Sequence, residues 1–252
     1  MIKTTYKLSK TICNVSLNRH PVNAINICML KELYKVIYKV NKSKVNCIIF
    51  SSSLNHFCAG ADLKERTDFN KNQTLEFLDL LNDLFYLIES LEMPTIASIN
   101  GACLGGGLEL VLACDFRVCS KDSIFGFPET SIGIIPGGGG TQRMTRLTGI
   151  STAMKWIFTS EKYTSIEALK DKVIDFIAPN NKLEAYVLDF AKQIIKNSPV
   201  ALKASKSSIL SSFIDEGFQN ERRQYIKTLN SDDRAEGLKS FTQKRNPKWD
   251  NS

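Results

Sequence analysis

The stretch Asn100–Gly140, NGACLGGGLELVLACDFRVCSKDSIFGFPETSIGIIPGGGG, constrains this chain more than any other. It carries two glycine-rich turns and two glutamates, Glu109 and Glu129, each just after a break in regular structure. Pro94-Thr-Ile-Ala-Ser-Ile99 reads as a short buried strand, being rich in β-branched residues and preceded by a proline. Gly101 and Gly105-Gly106-Gly107 break it, and Leu108–Ala113 begins a helix. The first N–H groups of a helix have no partner within it, and the helix dipole makes that end slightly positive. Glycines there let another group approach the backbone closely. The result is a place for a developing negative charge, with the carboxylate of Glu109 one turn into the helix. The plainer reading also stands at this point: the glycines permit tight helix–strand packing and Glu109 faces water.

Several function classes fall away. No apolar run approaches the eighteen residues of a membrane span, so no membrane partner is expected. MIKTTYKLSK lacks a secretory signal's apolar core, and a strand already begins near residue 5. A cytoplasmic setting is the expectation; a mitochondrial matrix protein stripped of its presequence reads identically. The seven cysteines include no CxxC pair, and Cys13, Cys47, Cys58, Cys103 and Cys114 lie among apolar or small neighbours, which predicts buried reduced thiols and no metal site. Charge is uneven. Residues 1–50 hold nine Lys and Arg against the single acid Glu32, so the whole excess of the net +7 sits there. That favours an anionic ligand or nucleic acid near the N-terminal segment, or a plainly solvated helix face.

Along the chain, Thr11–Leu17 alternates as a half-buried strand and Asn26–Lys39 reads as a helix with Lys31, Lys35 and Lys39 on one face. Val45–Phe50 is a strand, and Leu75–Leu91 a long helix capped by Thr74 and stopped by Pro94. Helices follow at Ser151–Thr159 and Ser165–Lys170, and a strand at Val173–Ala178. From Asn180 the chain turns helical, through Glu184–Asn197 and Pro199–Phe213. Strands alternating with helices, then helices alone, predict an α/β fold with a helical tail. The strands at Val45 and Thr95, each leading into a small-residue turn, hint at stacked β–β–α turns.

Chemistry narrows by elimination. The two histidines, His20 and His56, accompany no GxSxG, which ranks acyl-enzyme hydrolysis low. LGGGLE and PGGGGTQ lack the lysine and hydroxyl of a phosphate loop, the glycine spacing is not that of a dinucleotide fold, and no HExxH occurs. What remains is a pair of carboxylates with backbone donors, suited to proton transfer at carbon beside a polarised carbonyl. Two carboxyls sharing a partly apolar cavity cannot both ionise cheaply, so one serves as acid and the other as base. Backbone N–H groups at the turns would hold the enolate oxygen, at roughly 3–4 kcal/mol per donor in comparable sites.

Five segments then carry a resemblance in one register: His56-Phe-Cys-Ala-Gly-Ala-Asp-Leu-Lys-Glu65, Asn100–Glu109, Cys114-Asp115, Phe125-Gly-Phe-Pro-Glu129 and Ile135–Arg143. Together with Ser231–Phe241 and Lys244-Arg245 they resemble the enoyl-CoA hydratase/isomerase (crotonase) family. The resemblance implies a spiral of β–β–α turns over residues 1–190, with a helical region at 191–252 that assembles a homotrimer or a dimer of trimers. It implies Glu109 and Glu129 as catalytic acids and the N–H groups of Ala61 and Gly106 as an oxyanion hole for the thioester carbonyl. It places Ala59, Asp62 and Lys64 at the CoA, Gly137 in the pocket wall, and Phe241 and Lys244 where a C-terminal helix reaches CoA. No separate cofactor is implied, since coenzyme A is part of the acyl-CoA substrate. Both glutamates together favour syn hydration of a 2-enoyl-CoA, with double-bond isomerisation as an alternative. The closest look is to the methylglutaconyl-CoA hydratase branch, which also binds AU-rich RNA through lysines spaced by four. Lys31 and Lys35 match two of those lysines, Lys39 extends the row, and Ile27 departs from the pattern.

Overall fold

The computed structural model describes residues 1–179, 181–213 and 216–250. Asn180, where the helical tail was expected to begin, lies outside them. β1 (Ile2–Lys7) and β2 (Ile12–Leu17) pair antiparallel, and β2 then pairs parallel with β3 (Cys47–Ser52), matching Ile12 to Cys47. β4 (Thr95–Ile99), β6 (Phe116–Cys119) and the two-residue β9 (Phe176–Ile177) extend the sheet, in the order β1-β2-β3-β4-β6-β9. β5 (Ala102–Leu104), β7 (Ile124–Gly126) and β8 (Tyr163–Thr164) make a second, three-stranded sheet.

The two sheets are linked in a repeating way. β4 in the large sheet leads to β5 in the small one and then to α4 (Gly106–Leu112). β6 leads to β7, then to a 3-10 turn at Glu129–Ile132, α5 (Gly140–Thr148) and α6 (Ile150–Thr159). β3 leads to Cys58, which bridges to Cys103 of β5, and then to α2 (Leu63–Thr67) and α3 (Lys71–Glu89). These are the stacked β–β–α turns that the sequence hinted at. Successive turns are joined along the small sheet: Cys58 N–H donates to the Ala102 carbonyl (3.1 Å), Leu104 N–H to Cys58 (2.9 Å) and Gly105 N–H to Gly126 (2.9 Å).

Helix α1 (Ile27–Asn41) starts at Asn26, whose side chain accepts the Met29 N–H, and buries Met29, Leu30, Leu33, Ile37 and Val40. Helix α3 differs from expectation at both ends. Its cap is Asn70, paired reciprocally with Gln73, and Thr74 lies inside, donating to the Asn70 carbonyl. It stops at Glu89, short of Pro94, because Leu91 and Met93 turn inward and are buried. α7 (Ser165–Lys170) falls where expected, whereas only Phe176–Ile177 of the expected Val173–Ala178 strand pairs. Cys13, Cys47, Cys58, Cys103 and Cys114 are buried free thiols, as is Cys119, while Cys28 is exposed.

The chain forms two compact units, one of Met1–Leu91 with Thr95–Leu188, the other of Glu92–Pro94 with Asp189–Ser252. The division falls inside α8 (Leu183–Ile195). The second unit continues with α9 (Pro199–Leu210), α10 (Gly217–Leu229) and α11 (Asp232–Thr242). α9 is shorter than expected, since Ser211–Phe213 tightens to a 3-10 turn. Among the described residues no helix is long and apolar enough to cross a membrane, and no cluster of His, Cys, Asp and Glu could hold a metal.

Candidate active site

Glu109 lies on α4 and is 2% exposed, so it does not face water. One of its oxygens, Oε1, accepts two backbone N–H groups, from Gly138 and Gly140, both at 2.8 Å. A side chain at either position would collide with it: a Cβ on Gly138 would lie 2.8 Å from Glu109 Oε2, and one on Gly140 2.8 Å from Oε1. Burial pushes the Glu109 carboxyl above its ordinary value, while these N–H groups and the charge of Arg143 pull it back. Burial outweighs them, so the net direction is upward, and the two amides fix the orientation of the group.

Glu129 opens the 3-10 turn after Pro128 and is 9% exposed. Its Oε2 is shielded and receives no hydrogen bond from the protein. Burial is the main reason its carboxyl is pushed up to about 7; its own backbone N–H and Arg66 oppose the rise, and the charge of Glu109 adds to it. The two acids thus stand in different environments, which is the condition for dividing acid and base roles between them. Gly105 makes room for this arrangement. Its φ is +50°, and a Cβ there would lie 2.6 Å from Glu129 Oε1.

The two amides expected to hold an oxyanion are neighbours. A Cβ on Gly106 would sit 3.6 Å from the Ala61 nitrogen, and one on Gly60 would sit 3.5 Å from the Gly106 nitrogen. Neither N–H donates to another described residue. The Ala61 segment is held from outside: Ile25 N–H donates to Gly60 at 2.7 Å and Asp62 N–H to Ile25 at 2.8 Å.

Of the residues expected at CoA, Ala59 and Asp62 are half-buried and Lys64 is exposed. The Asp62 carboxylate is already engaged, capping α2 through the Lys64 and Glu65 N–H groups and pairing with Arg19 at 2.6 Å. Burial pushes Asp62 up, but Arg19 and the cap outweigh it and hold the group below its ordinary value. Gly137, expected in the pocket wall, packs against α3: its carbonyl accepts Asn82 Nδ2 at 2.7 Å, and a Cβ there would meet Leu78 at 2.6 Å. Phe241 and Lys244 belong to the second unit, where both are exposed. On α1, Lys31, Lys35 and Lys39 are all exposed, as are Tyr34 and Tyr38. Lys42 lies over the Tyr38 ring, 4.1 Å from its centre.

Other supporting groups were not legible as such. The Gly137–Gly140 loop is braced by Asn82 and by Arg143, which donates to the Gly138 carbonyl (2.9 Å) while paired with Glu89 (2.7 Å). Arg143 sits within a quoted motif, but Glu89 is 54 positions away and carries no local signal. His56 has a structural role, its Nδ1 accepting the Ala102 N–H. A cavity of about 780 Å³ elsewhere in the first unit is lined by Ser16, Ser51, Ser98 and Ser120 among others; neither glutamate lines it, so its size does not locate the chemistry.

The enoyl-CoA hydratase/isomerase family profile matches residues 7–252. The chain belongs to that family. A probable mitochondrial enoyl-CoA hydratase of Arabidopsis thaliana is 40% identical over 94% of this chain and 80% of its own length. A short-chain-enoyl-CoA hydratase of Clostridium acetobutylicum is 35% identical over 92% of this chain and 91% of its own. The mitochondrial methylglutaconyl-CoA hydratase of Mus musculus is 38% identical over 90% of this chain and 75% of its own. Among solved structures, the enoyl-CoA hydratase of Bacillus anthracis superposes with a TM-score of 0.96, at 35% identity, covering 100% of this chain and 99% of that one. The fold is therefore the crotonase spiral, and members of this family act on acyl-CoA thioesters.

Proposed function

We propose that this protein is an enoyl-CoA hydratase, adding water in syn fashion across the 2,3 double bond of an enoyl-CoA thioester. The observation that carries the proposal is the unequal pair of carboxyls. Glu109 is fixed through one oxygen by two amides, and Glu129 is buried with an oxygen that nothing in the protein engages. In this reading the thioester carbonyl accepts from the Ala61 and Gly106 N–H groups, which stabilise the enolate as it forms. Glu109, oriented by the Gly138 and Gly140 amides, acts in its carboxylate form and draws a proton from water as the water oxygen bonds to C3. Glu129, protonated below about pH 7, delivers a proton to C2, and the pair is restored by proton exchange with solvent. Both new bonds form on the face where the two glutamates stand, which gives the syn outcome. Isomerisation would use the same enolate without the water.

Ala59, Asp62 and Lys64 border the oxyanion turn and are assigned to CoA, as are Phe241 and Lys244 of a homo-oligomer's C-terminal helices. A mitochondrial location, the alternative to the expected cytoplasmic one, is supported by the mitochondrial names of two relatives. The test is loss of the conjugated-thioester absorbance of crotonyl-CoA. Turnover by the wild type and its absence in Glu129→Gln support the reading; equal turnover in both refutes the assignment of Glu129.

A second reading concerns α1. Exposed Lys31, Lys35 and Lys39, with Tyr34 and Tyr38 between them, form a basic and aromatic face suited to RNA phosphates and bases. Reversing the three lysine charges is expected to remove salt-sensitive RNA affinity and leave hydration intact. RNA affinity that survives the reversal refutes this assignment.

A further inference from the structure

We infer that the cavity on the large sheet is a second ligand site, taking an uncharged polyhydroxylated molecule, a polyol or small sugar. Its volume of about 780 Å³ suits a small molecule, and neither Glu109, Glu129 nor the Ala61 and Gly106 amides border it. The inference does not depend on the hydratase reading.

The sheet register builds the floor. Ser16 on β2 stands opposite Ser51 on β3, and Ser51 and Ser98 each follow the paired Phe50 and Ala97. Side chains alternate between the two faces of a strand. These three hydroxyls therefore share one face, while Val15, Phe50 and Ala97 are buried on the other. Asn100 and Ser120 form the next row, just beyond the paired Ile99 and Cys119. All of them lie at the carboxyl ends of parallel strands, where open α/β sheets bind their ligands. A covered parallel sheet ordinarily carries Val, Ile and Leu at such positions. Hydroxyls and amides there weaken the packing unless something polar meets them.

One hydroxyl is left unmatched. Ser16 shares a hydrogen bond with Ser53 (2.8 Å), Ser51 donates to Asn14 Oδ1 (2.8 Å) and Ser120 pairs with Ser123 (2.9 Å). Asn100 Nδ2 donates to the Leu54 carbonyl at 2.6 Å. Ser98 is 7% exposed and lines the cavity, yet its hydroxyl bonds to no described residue. The Asn14 side-chain amide likewise donates to none. A ligand hydroxyl can donate and accept at once, which is what this mixed floor of serines and asparagines asks for.

Charge and shape select the class. The floor holds no ionisable group. At the mouth Lys7 pairs with Glu184 at 3.7 Å and Lys121 adjoins Asp122, so cations and carboxylates balance. An ion that entered would lose its water and find no counter-charge on the floor. Among the described residues no aromatic ring lines the cavity, so a nucleobase has nothing to stack on. Ile49, Leu183 and Val187 instead supply aliphatic surface. A sugar or cyclic polyol presents both C–H and hydroxyl groups, matching wall and floor.

The test is calorimetry on the full chain with three probes: myo-inositol, glucose and trehalose. At least one should bind with a Kd of about 1 mM or tighter, and glucose 6-phosphate should bind at least about tenfold more weakly than glucose. Ser98→Leu, which fills the cavity floor, should lower affinity for that probe by about tenfold or more, and Ser98→Ala by a smaller factor. Hydration of crotonyl-CoA should be the same in wild type and both variants. Binding of none of the three probes to the wild type overturns the inference without recourse to any variant. So does affinity that survives in a folded Ser98→Leu protein, or displacement of the probe by butyryl-CoA, which would place it in the thioester's own site. Tighter binding of glucose 6-phosphate than of glucose overturns the uncharged class.

Discussion

Replacing Glu129 by glutamine should make the protein more stable at alkaline pH. The Glu129 carboxyl has an ordinary value of 4.5 and is pushed up to about 7 in the fold, chiefly by burial. Between those values the folded chain keeps a proton that the unfolded chain has released, so stability falls as pH rises through this window. Below 4.5 both states are protonated and no difference remains; above 7 both are ionised and the full penalty is in place. A shift of this size corresponds to about 3 kcal/mol, of which about 2–3 kcal/mol develops between pH 5 and pH 8.5. Glutamine has nearly the same shape and no charge, so it escapes the penalty. The assay is urea unfolding of wild type and Glu129→Gln across that range at one protomer concentration, since assembly shifts apparent stability. The readout is the change in their stability difference with pH, which cancels groups the two proteins share. The variant should gain on the wild type steadily up to about pH 7 and then level off. A difference that stays flat within about 0.5 kcal/mol would show that Glu129 is solvated in the fold, and the acid role assigned to it would lose its physical basis.

The same carboxyl predicts that kcat/KM for crotonyl-CoA falls as pH rises through about 7, measured as a pH–rate profile; an unchanged rate to pH 9 would exclude a protonated Glu129 as the donor. Arg143→Met frees the Gly138 carbonyl and leaves Glu89 unpaired, and misplacement of the loop should lower kcat by about 10–100-fold with a smaller effect on KM, read in steady-state kinetics. Gly105→Ala places a methyl group against Glu129 at a left-handed φ, and loss of about 2 kcal/mol of stability together with most activity is expected by denaturation and rate assay. Asn70→Ala removes the true cap of α3 and should cost about 1 kcal/mol, whereas Thr74→Ala should cost less; comparison of their Tm values checks the corrected helix start.

What could be read directly from the residues was mostly local. Asn26 and the apolar spacing of Met29, Leu30, Leu33 and Ile37 specify α1 almost to the residue, because capping and periodicity act within a few positions. The start of α3 was misplaced because Asn70, Thr74 and the residues between them offer competing caps, and the reciprocal Asn70–Gln73 contact decides among them. β9 pairs over two residues where six looked strand-like, since pairing depends on the neighbour β6 and not on composition alone. Glu109 and Glu129 stood out through their glycine turns, yet nothing local says that the amides of Gly138 and Gly140 hold Glu109, 29 and 31 positions away. The resemblance to the family supplied the roles of the two acids; the structure adds the groups that make them unequal.

Helix α3 touches the site in several places. It places Phe77 beneath Arg66, Leu78, Leu81 and Phe85 against the glycine loop, Asn82 on the Gly137 carbonyl and Glu89 on Arg143. The loop that holds Glu109 and the ion pair that braces it therefore rest on one helix. A remodelling of α3 that admits a different acyl group shifts the amides that tune the base as well. New substrate ranges in this scaffold should thus arrive together with displaced pH optima, and selection for one trait will drag the other along.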